Sequence, residues 1–490
     1  MEHKEDLAEE IRAQIDSHFE WLFVSSAGRT FPLTQKEIEV SSELESNFFA
    51  ILDDTGYSHS RIEDFCKEGD DLLFQLASAP GGERQSVRLI PRPSARELSE
   101  SVLLARMVRA NQIGAALLAR SPELKLSRVS LNVENGRLAQ ILARDSSSHE
   151  IAVLSDVTST MTHESVMTSA ILWSEKLRRR KKPINDMWIA AERKQARPLQ
   201  KLLALFNRNA VGRFHLLEIL SDGGNLTLGD LSTQRSLWRT KSTKLSLPTD
   251  MQTSETAAAI MALAPNQSDI IFSKHGETIR FCGLPFARVR KVAGDETAWF
   301  GVEGHRTLLT QESWPALSEI ALQLETHRAA KVDNKRHELY RAAPEAWLES
   351  ILRRNIRQLD NNLILSPVYN QYRASADKID LLAIRRDGRL VIIELKTSPD
   401  REMVFQAADY WRKVELQRRS GELARNRAFG DMEIRDEPAL VYAVAPALSF
   451  HRDFGLFAGM LRRDLEIWRF DLHEDWRSEI KVLSRRRYEG

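Results

Sequence analysis

The stretch Lys378-Ile379-Asp380-Leu381-Leu382-Ala383-Ile384, followed by Leu390-Val391-Ile392-Ile393-Glu394-Leu395-Lys396, reads as two strands joined by a tight turn. Leu390 to Ile393 is a continuous apolar run, as expected of a strand covered on both faces. Side chains alternate along a strand, so Glu394 and Lys396 share a face. If Asp387-Gly388 were a two-residue turn, Arg386 would oppose Arg389 and Asp380 would face away from Glu394. A three-residue loop, Arg386-Asp387-Gly388, with Gly388 in the left-handed position, sets Asp380 opposite Glu394. That loop, or a compensating bulge near Asp380, is the expectation. Two carboxylates and an amine at the end of a small sheet can hold a divalent metal and position a water, which is equipment for cutting a phosphodiester.

The flanking sequence fits. Thr397-Ser398-Pro399-Asp400 reads as a turn and helix start, and 402–419 as a helix with Gln406 and Tyr410 four apart on one face. Upstream, Pro344 suits a first helical turn. Trp347, Leu348, Ile351, Leu352, Ile356 and Leu359 form the apolar stripe that follows it. Glu345 falls inside that stripe and Glu349 at its edge. An acid on a buried face is costly unless paired or metal-linked. Glu349 is therefore the first candidate for a third site acid and Glu345 the second, although a first-turn Glu345 is also explained by the helix dipole alone.

A helical Glu, Asp380, Glu394-Leu395-Lys396 and Gln406-x-x-x-Tyr410 together resemble the PD-(D/E)XK nuclease superfamily, and the Gln-x-x-x-Tyr element is similar to its RecB-like branch. The run Ile379 to Ala383 with Val391 to Lys396 also resembles the nuclease domain of NucS-type mismatch endonucleases. The resemblance covers about 335–490; the superfamily's Pro has no obvious counterpart before Asp380. It implies an α/β chain with a C-terminal restriction-endonuclease-like fold, a mixed central sheet flanked by helices. It also implies roles: Asp380, Glu394, the Leu395 carbonyl and Glu349 as ligands of Mg²⁺ or Mn²⁺, Lys396 orienting the water and stabilising charge, Gln406 supporting the site, and Tyr410 touching the nucleic-acid backbone. It further implies DNA as substrate and a setting in bacterial DNA repair, restriction or anti-phage defence. RNA stays open, because metal and phosphate chemistry does not distinguish the sugars. The rival readings are a silent nucleic-acid-binding scaffold and a regulatory protein whose activity lies upstream. Cutting both strands needs two active sites, which points to a homodimer.

Composition sets outer bounds. The 490 residues suggest two to four domains, and 42% hydrophobic with 28% charged residues is ordinary for a globular chain. No apolar run approaches a membrane span of about 18 residues, so no membrane partner is expected. The charged start, Met1-Glu2-His3-Lys4-Glu5-Asp6, lacks a signal-peptide core. Cys66 and Cys282 stand far apart without His clusters, which suits a reducing cytoplasm rather than a disulfide framework or zinc site. A net charge of +1 leaves any nucleic-acid groove to local clustering. Lys176, Arg178, Arg179, Arg180, Lys181 and Lys182 form the densest basic run and Arg485-Arg486-Arg487 a second. Either can contact phosphates or cap a solvated helix end. There is no phosphate-binding Gly loop, ATPase motif or nucleophile elbow, so the chain is not expected to be its own motor.

Gln140 to Asp145 and Ile151 to Asp156 echo the decisive hairpin, with the same spacing from Gln140 to Ile151 as from Asp380 to Val391. Trp173 stands much as Trp411 does, and Pro183 to Ala190 echoes Pro438 to Ala445. This hints at a duplication whose chemistry is absent: Gln140 replaces Asp380, Leu154 replaces Glu394 and Asp156 replaces Lys396. The expected organisation is then 1–75, a helix and loop region with helices at 4–24 and 42–53; 76–230, an α/β domain holding the degenerate echo; 231–330, β-rich with strands around 270–272, 278–281 and 298–300 and a helix at 312–328; a polar linker at 329–339; and 331–490, the nuclease domain. Gly223-Gly224, Gly276 and Gly294 mark turns, and His305 has no evident partner.

Overall fold

The computed structural model describes residues 2–26, 30–43, 46–53, 56–77, 84–92, 95–222, 225–231, 252–273, 276–292, 295–302, 306–366 and 380–488. Gly223-Gly224, Gly294, His305 and the segment before Asp380 where a superfamily Pro would stand lie outside them. The chain forms two units, 1–109 and 110–490.

In the first unit the helix Glu2–Ile15 precedes seven antiparallel strands that run to Arg92. The Trp21 indole donates to the Ile15 carbonyl at 2.9 Å, and Ile11, Ile15, Trp21, Phe49, Leu72, Phe74 and Leu89 share the core. The region expected as helix and loop is thus mostly sheet: the helix expected at 4–24 ends at Ile15 and gives way to the strand Glu20–Ser25, and the one expected at 42–53 is instead the strand Ser46–Asp53. A short run such as Phe48-Phe49-Ala50-Ile51-Leu52 fits either period, and pairing with the strands on both sides decides it. The boundary expected at 75 cuts through the strand Asp71–Ala77.

The helix Ala95–Arg120 crosses the boundary between the units in sequence. Its Leu98–Arg120 portion is long and apolar enough, by length and composition, to span a membrane, and 28% of that window is buried. The expectation that no such stretch exists is corrected: an averaged window outweighs Arg106 and Arg109, which break every uninterrupted run. Each arginine would nevertheless cost about 2.5–3.5 kcal/mol at a bilayer centre.

The second unit holds two six-stranded mixed sheets of identical order. In one, Lys125–Leu131, Leu138–Arg144, Glu150–Asp156, Asp186–Glu192, Phe214–Asp222 and Asn225–Asp230 follow one another across the sheet. Their successive pairings are antiparallel, antiparallel, parallel, parallel and antiparallel. In the other, Leu363–Leu365, Leu381–Arg385, Leu390–Leu395, Leu440–Pro446, Ile467–Leu472 and Val482–Tyr488 repeat that order and those directions. The first parallel crossover in each sheet is a long helix, His163–Arg178 or Met403–Arg419. Leu154 pairs with Ile189 as Glu394 pairs with Ala443. The sequence comparison had set Trp188 against Ala443, one residue out of register, which would have flipped the strand's faces.

Five antiparallel strands, from Ser268–Ser273 to Thr307–Leu308, form a third sheet, followed by the helix Trp314–His327. The strand Leu284–Val292 within it was not anticipated. The 363–488 sheet lies between two cores. Leu390 and Ile392 face a core shared with the 125–230 sheet; Val391, Ile393 and Leu395 face one shared with the 268–308 sheet. That is why the strand reads as a continuous apolar run.

The expected linker at 329–339 is largely exposed, but the residues that bound it are packed. Arg328, with 0% exposure, donates to the carbonyls of Phe281, Cys282, Leu339, Ala342 and Ala343 and lies 4.6 Å from the Trp347 ring. At Gly283, with φ +81°, a Cβ would sit 1.9 Å from the Ala346 carbonyl oxygen, so only glycine allows this approach of turn to helix.

Candidate active site

The hairpin register decides which side chains meet. Leu381 pairs with Ile393 and Ile384 with Leu390, so continuing the register sets Asp380 opposite Glu394. The three-residue loop is present: the Gly388 amide donates to the Arg385 carbonyl at 2.9 Å, and Gly388 has φ +87°. Asp380 Oδ2 accepts from the Leu395 amide at 2.8 Å, which holds this carboxylate against the end of the neighbouring strand.

Glu394 lies on the face of Leu390 and Ile392, with its side chain 4% exposed. Lys396 Nζ stands 3.5 Å from its Oε1 and 2.9 Å from Asp400 Oδ2. Among the described residues, Glu394 Oε2 is buried with no hydrogen-bond partner. Burial, and then the neighbouring charge of Asp380, push the Glu394 carboxyl well above its ordinary range, against the pull of Lys396. Burial works against the Lys396 ammonium, but Glu394, Asp400 and Asp380 outweigh it and raise its pKa. Lys396 is therefore a held cation, not a neutral amine that could serve as a base.

An orphaned, desolvated carboxylate oxygen beside a second carboxylate is what a hard divalent cation satisfies. Among the described residues no group of three or more His, Cys, Asp or Glu is gathered for a metal. A two-carboxylate set suits Mg²⁺, which keeps several waters and takes one or two carboxylates from the protein.

Glu349 is not brought to this pair. It sits on the helix Pro344–Arg354, whose Trp347, Leu348 and Leu352 pack in the core on the other face of the sheet. Its Oε1 accepts from Arg280 Nη1 at 3.2 Å, and Arg280 also donates through Nε to Asp269 Oδ1 at 2.6 Å. The buried acid is paired, through Oε1, with an arginine 69 residues away in sequence, which the helical stripe could not reveal. Glu345, one turn earlier, reaches the site end: the Thr397 amide and hydroxyl donate to its Oε1 at 3.2 and 2.8 Å.

Gln406 and Tyr410 are half-buried on the helix Met403–Arg419. Burial, and then the charges of Glu394, Asp380, Glu164 and Asp409, raise the Tyr410 phenol, which stays protonated and able to donate. Glu164 and Asp400 were not singled out in the sequence. Asp400 was visible only as a turn residue. Glu164 belongs to the first turn of His163–Arg178, and burial, then Asp409 and Glu402 beside it, raise its carboxyl to about 7. The helix start after the echoed hairpin was the signal that could have found it.

The basic run lies elsewhere. Thr162, the N-cap of His163–Arg178, donates to Glu402 Oε2 at 2.8 Å, so that helix begins at the site. Lys176 and Arg178 to Lys182 are exposed around its far end, about 24 Å away at 1.5 Å per residue. Arg485 donates to the Leu359 carbonyl at 2.9 Å, and Arg487 pairs with Glu466 at 3.0 Å.

No protein-family model and no curated protein matches the chain. Among solved structures it is similar to the apo form of EndoMS, at 12% identity and a TM-score of 0.16, over 44% of this chain and 95% of that one.

Proposed function

We propose that this chain is a metal-dependent nuclease that hydrolyses DNA phosphodiester bonds at Asp380, Glu394 and Lys396. The observation that carries the reading is the buried Glu394 carboxylate, with one oxygen unpartnered, beside Asp380 and a charged Lys396. Asp380 and Glu394 would hold Mg²⁺ or Mn²⁺, with the Leu395 carbonyl able to add a ligand. Such an ion supplies charge neutralisation at the phosphate and lowers the pKa of bound water. Asp400 and Glu394 hold the Lys396 ammonium in place to orient a water and offset negative charge as it grows on the phosphate. Glu345, through Thr397, braces the turn that carries Lys396. Tyr410 donates to the nucleic-acid backbone and Gln406 supports the site. The exposed run from Lys176 to Lys182 gives salt-sensitive contact to phosphates away from the scissile bond. DNA is the substrate to which the sequence resemblance points, with repair, restriction or defence against foreign DNA as the setting.

The test is cleavage of single-stranded, duplex and branched DNA, with RNA beside them, in Mg²⁺ or Mn²⁺ and then in EDTA. Metal-dependent cutting lost in both Glu394→Gln and Lys396→Ala supports the reading. Retained cutting in either variant, or no cutting by the wild type, overturns it.

A further inference from the structure

The two six-stranded sheets of the second unit share more than strand order. Leu154 opposes Gln140 at the place in the hairpin where Glu394 opposes Asp380. The chemistry at that place is closed off. Leu154 is fully buried in the shared core. Asp156, two residues on as Lys396 is from Glu394, is occupied by the Thr158 amide and hydroxyl at 2.8 and 2.6 Å, the Met161 amide at 2.9 Å and Gln195 Nε2 at 3.3 Å.

The seam between the halves carries the mark of a two-fold. In each half the segment after the second crossover helix, Arg193–Leu203 or Phe454–Ala458, leads into the fifth strand. Those two segments meet each other. The Asn207 amide donates to the Met460 carbonyl at 2.9 Å, and the Arg462 amide returns a bond to the Leu205 carbonyl at 2.8 Å. Phe206 bridges to Leu461 in antiparallel sense and stacks on Phe405 at 5.6 Å. Equivalent segments that exchange reciprocal bonds are the signature of an isologous contact, normally made between identical subunits. The silent half also braces the other's site. Thr162 donates to Glu402, and Glu134 pairs with Arg401 at 3.2 Å, both immediately after Asp400.

We propose that 125–230 is a catalytically silent copy of the 363–488 fold that takes the place of a second subunit, so that one chain carries one cleavage site and cuts one strand per encounter. This rests on the nuclease reading, and it replaces the homodimer expected from the sequence. The face through which a partner would supply the second site is already covered from within the chain, and the copy that covers it has a leucine where the cleaving glutamate stands.

The experiment follows closed circular duplex DNA with Mg²⁺ across a series of full-length chain concentrations, with the solution mass of the chain measured beside it. The expected result is accumulation of open circles, linear product only later from independent second cuts, a rate proportional to chain concentration, and the mass of one chain. Linear product formed directly from closed circles, a rate rising with the square of concentration, or a stable dimer overturns the proposal. If the wild type cuts no nucleic acid in any form, the nuclease reading has failed and the one-strand claim falls with it. The mass still judges subunit replacement separately: one chain upholds it and a dimer removes it.

Discussion

The 125–230 and 363–488 sheets place different residues at one position of the same strand arrangement, Leu154 in one and Glu394 in the other. Leu154 gains the roughly 1.5–3 kcal/mol of a buried leucine. Glu394 gives that up and accepts desolvation, the repulsion of Asp380 and an unpartnered oxygen. The comparison teaches that the scaffold asks only for an apolar side chain at that point. A buried carboxylate there costs stability, and the sheet tolerates it because its neighbours on the inward face of the strand, Leu390 and Ile392, are apolar.

The largest expected effect comes from making the two halves alike. Glu394→Leu, copying the silent half, is expected to abolish metal-dependent cleavage, a loss on the order of 10³-fold or more, while leaving the melting temperature unchanged or higher. A variant that melts well below wild type would break the idea that this position trades stability for chemistry.

The next effect separates structural acids from site acids. Arg280→Ala removes the nearer of two cations beside Asp269 and the buried Glu349, leaving Arg353 at 3.6 and 3.9 Å, and a loss of up to about 3–5 kcal/mol in denaturant unfolding is expected. If unfolding were unaffected while cleavage vanished, Glu349 would belong with the catalytic set after all.

In the silent half, Asp156→Ala removes the acceptor for the Thr158 and Met161 amides. About 1–3 kcal/mol of stability should be lost, with cleavage per folded molecule kept. Loss of cleavage in a fully folded variant would mean that the silent half is not silent.

The smallest effect is a pH dependence. Glu164, raised to about 7 first by burial and then by Asp409 and Glu402, against Lys413, binds its proton more tightly folded than unfolded. Its stabilising contribution is complete below about 4.5 and is lost as pH rises through about 7. Glu164→Gln should therefore match wild type in acid and exceed it above neutrality, by on the order of 1–2 kcal/mol. Parallel stability curves for the two proteins from pH 4 to 8 would show that the carboxyl is not perturbed.

What was legible in the sequence was local and periodic. The hairpin register, its three-residue loop, the helix that places Gln406 and Tyr410 together, and the echo at 140–156 all follow from side-chain alternation and turn length. What was not legible depended on partners far along the chain. The choice between Glu345 and Glu349 turns on Arg280, which lies in another sheet. The strand Ser46–Asp53 shows no decisive period alone and is fixed by the strands beside it. The domain boundary near 331 looked natural because the segment is polar, yet Arg328 and Leu339 within or beside it are buried.

Arg328 has a consequence for how this protein can be taken apart. Its guanidinium, drawn down to about 10 chiefly by burial, is held by carbonyls from the 268–308 sheet on one side and from the start of the 338–354 helical segment on the other. Cutting the chain in the polar stretch just after it would strip the hairpin's apolar underside of its cover and strand those carbonyls without their donor. The sheet that bears Asp380 and Glu394 therefore cannot be freed by a cut after Arg328: a 329–490 fragment is expected to fold only when the strands at 268–308, which share its core, are supplied beside it.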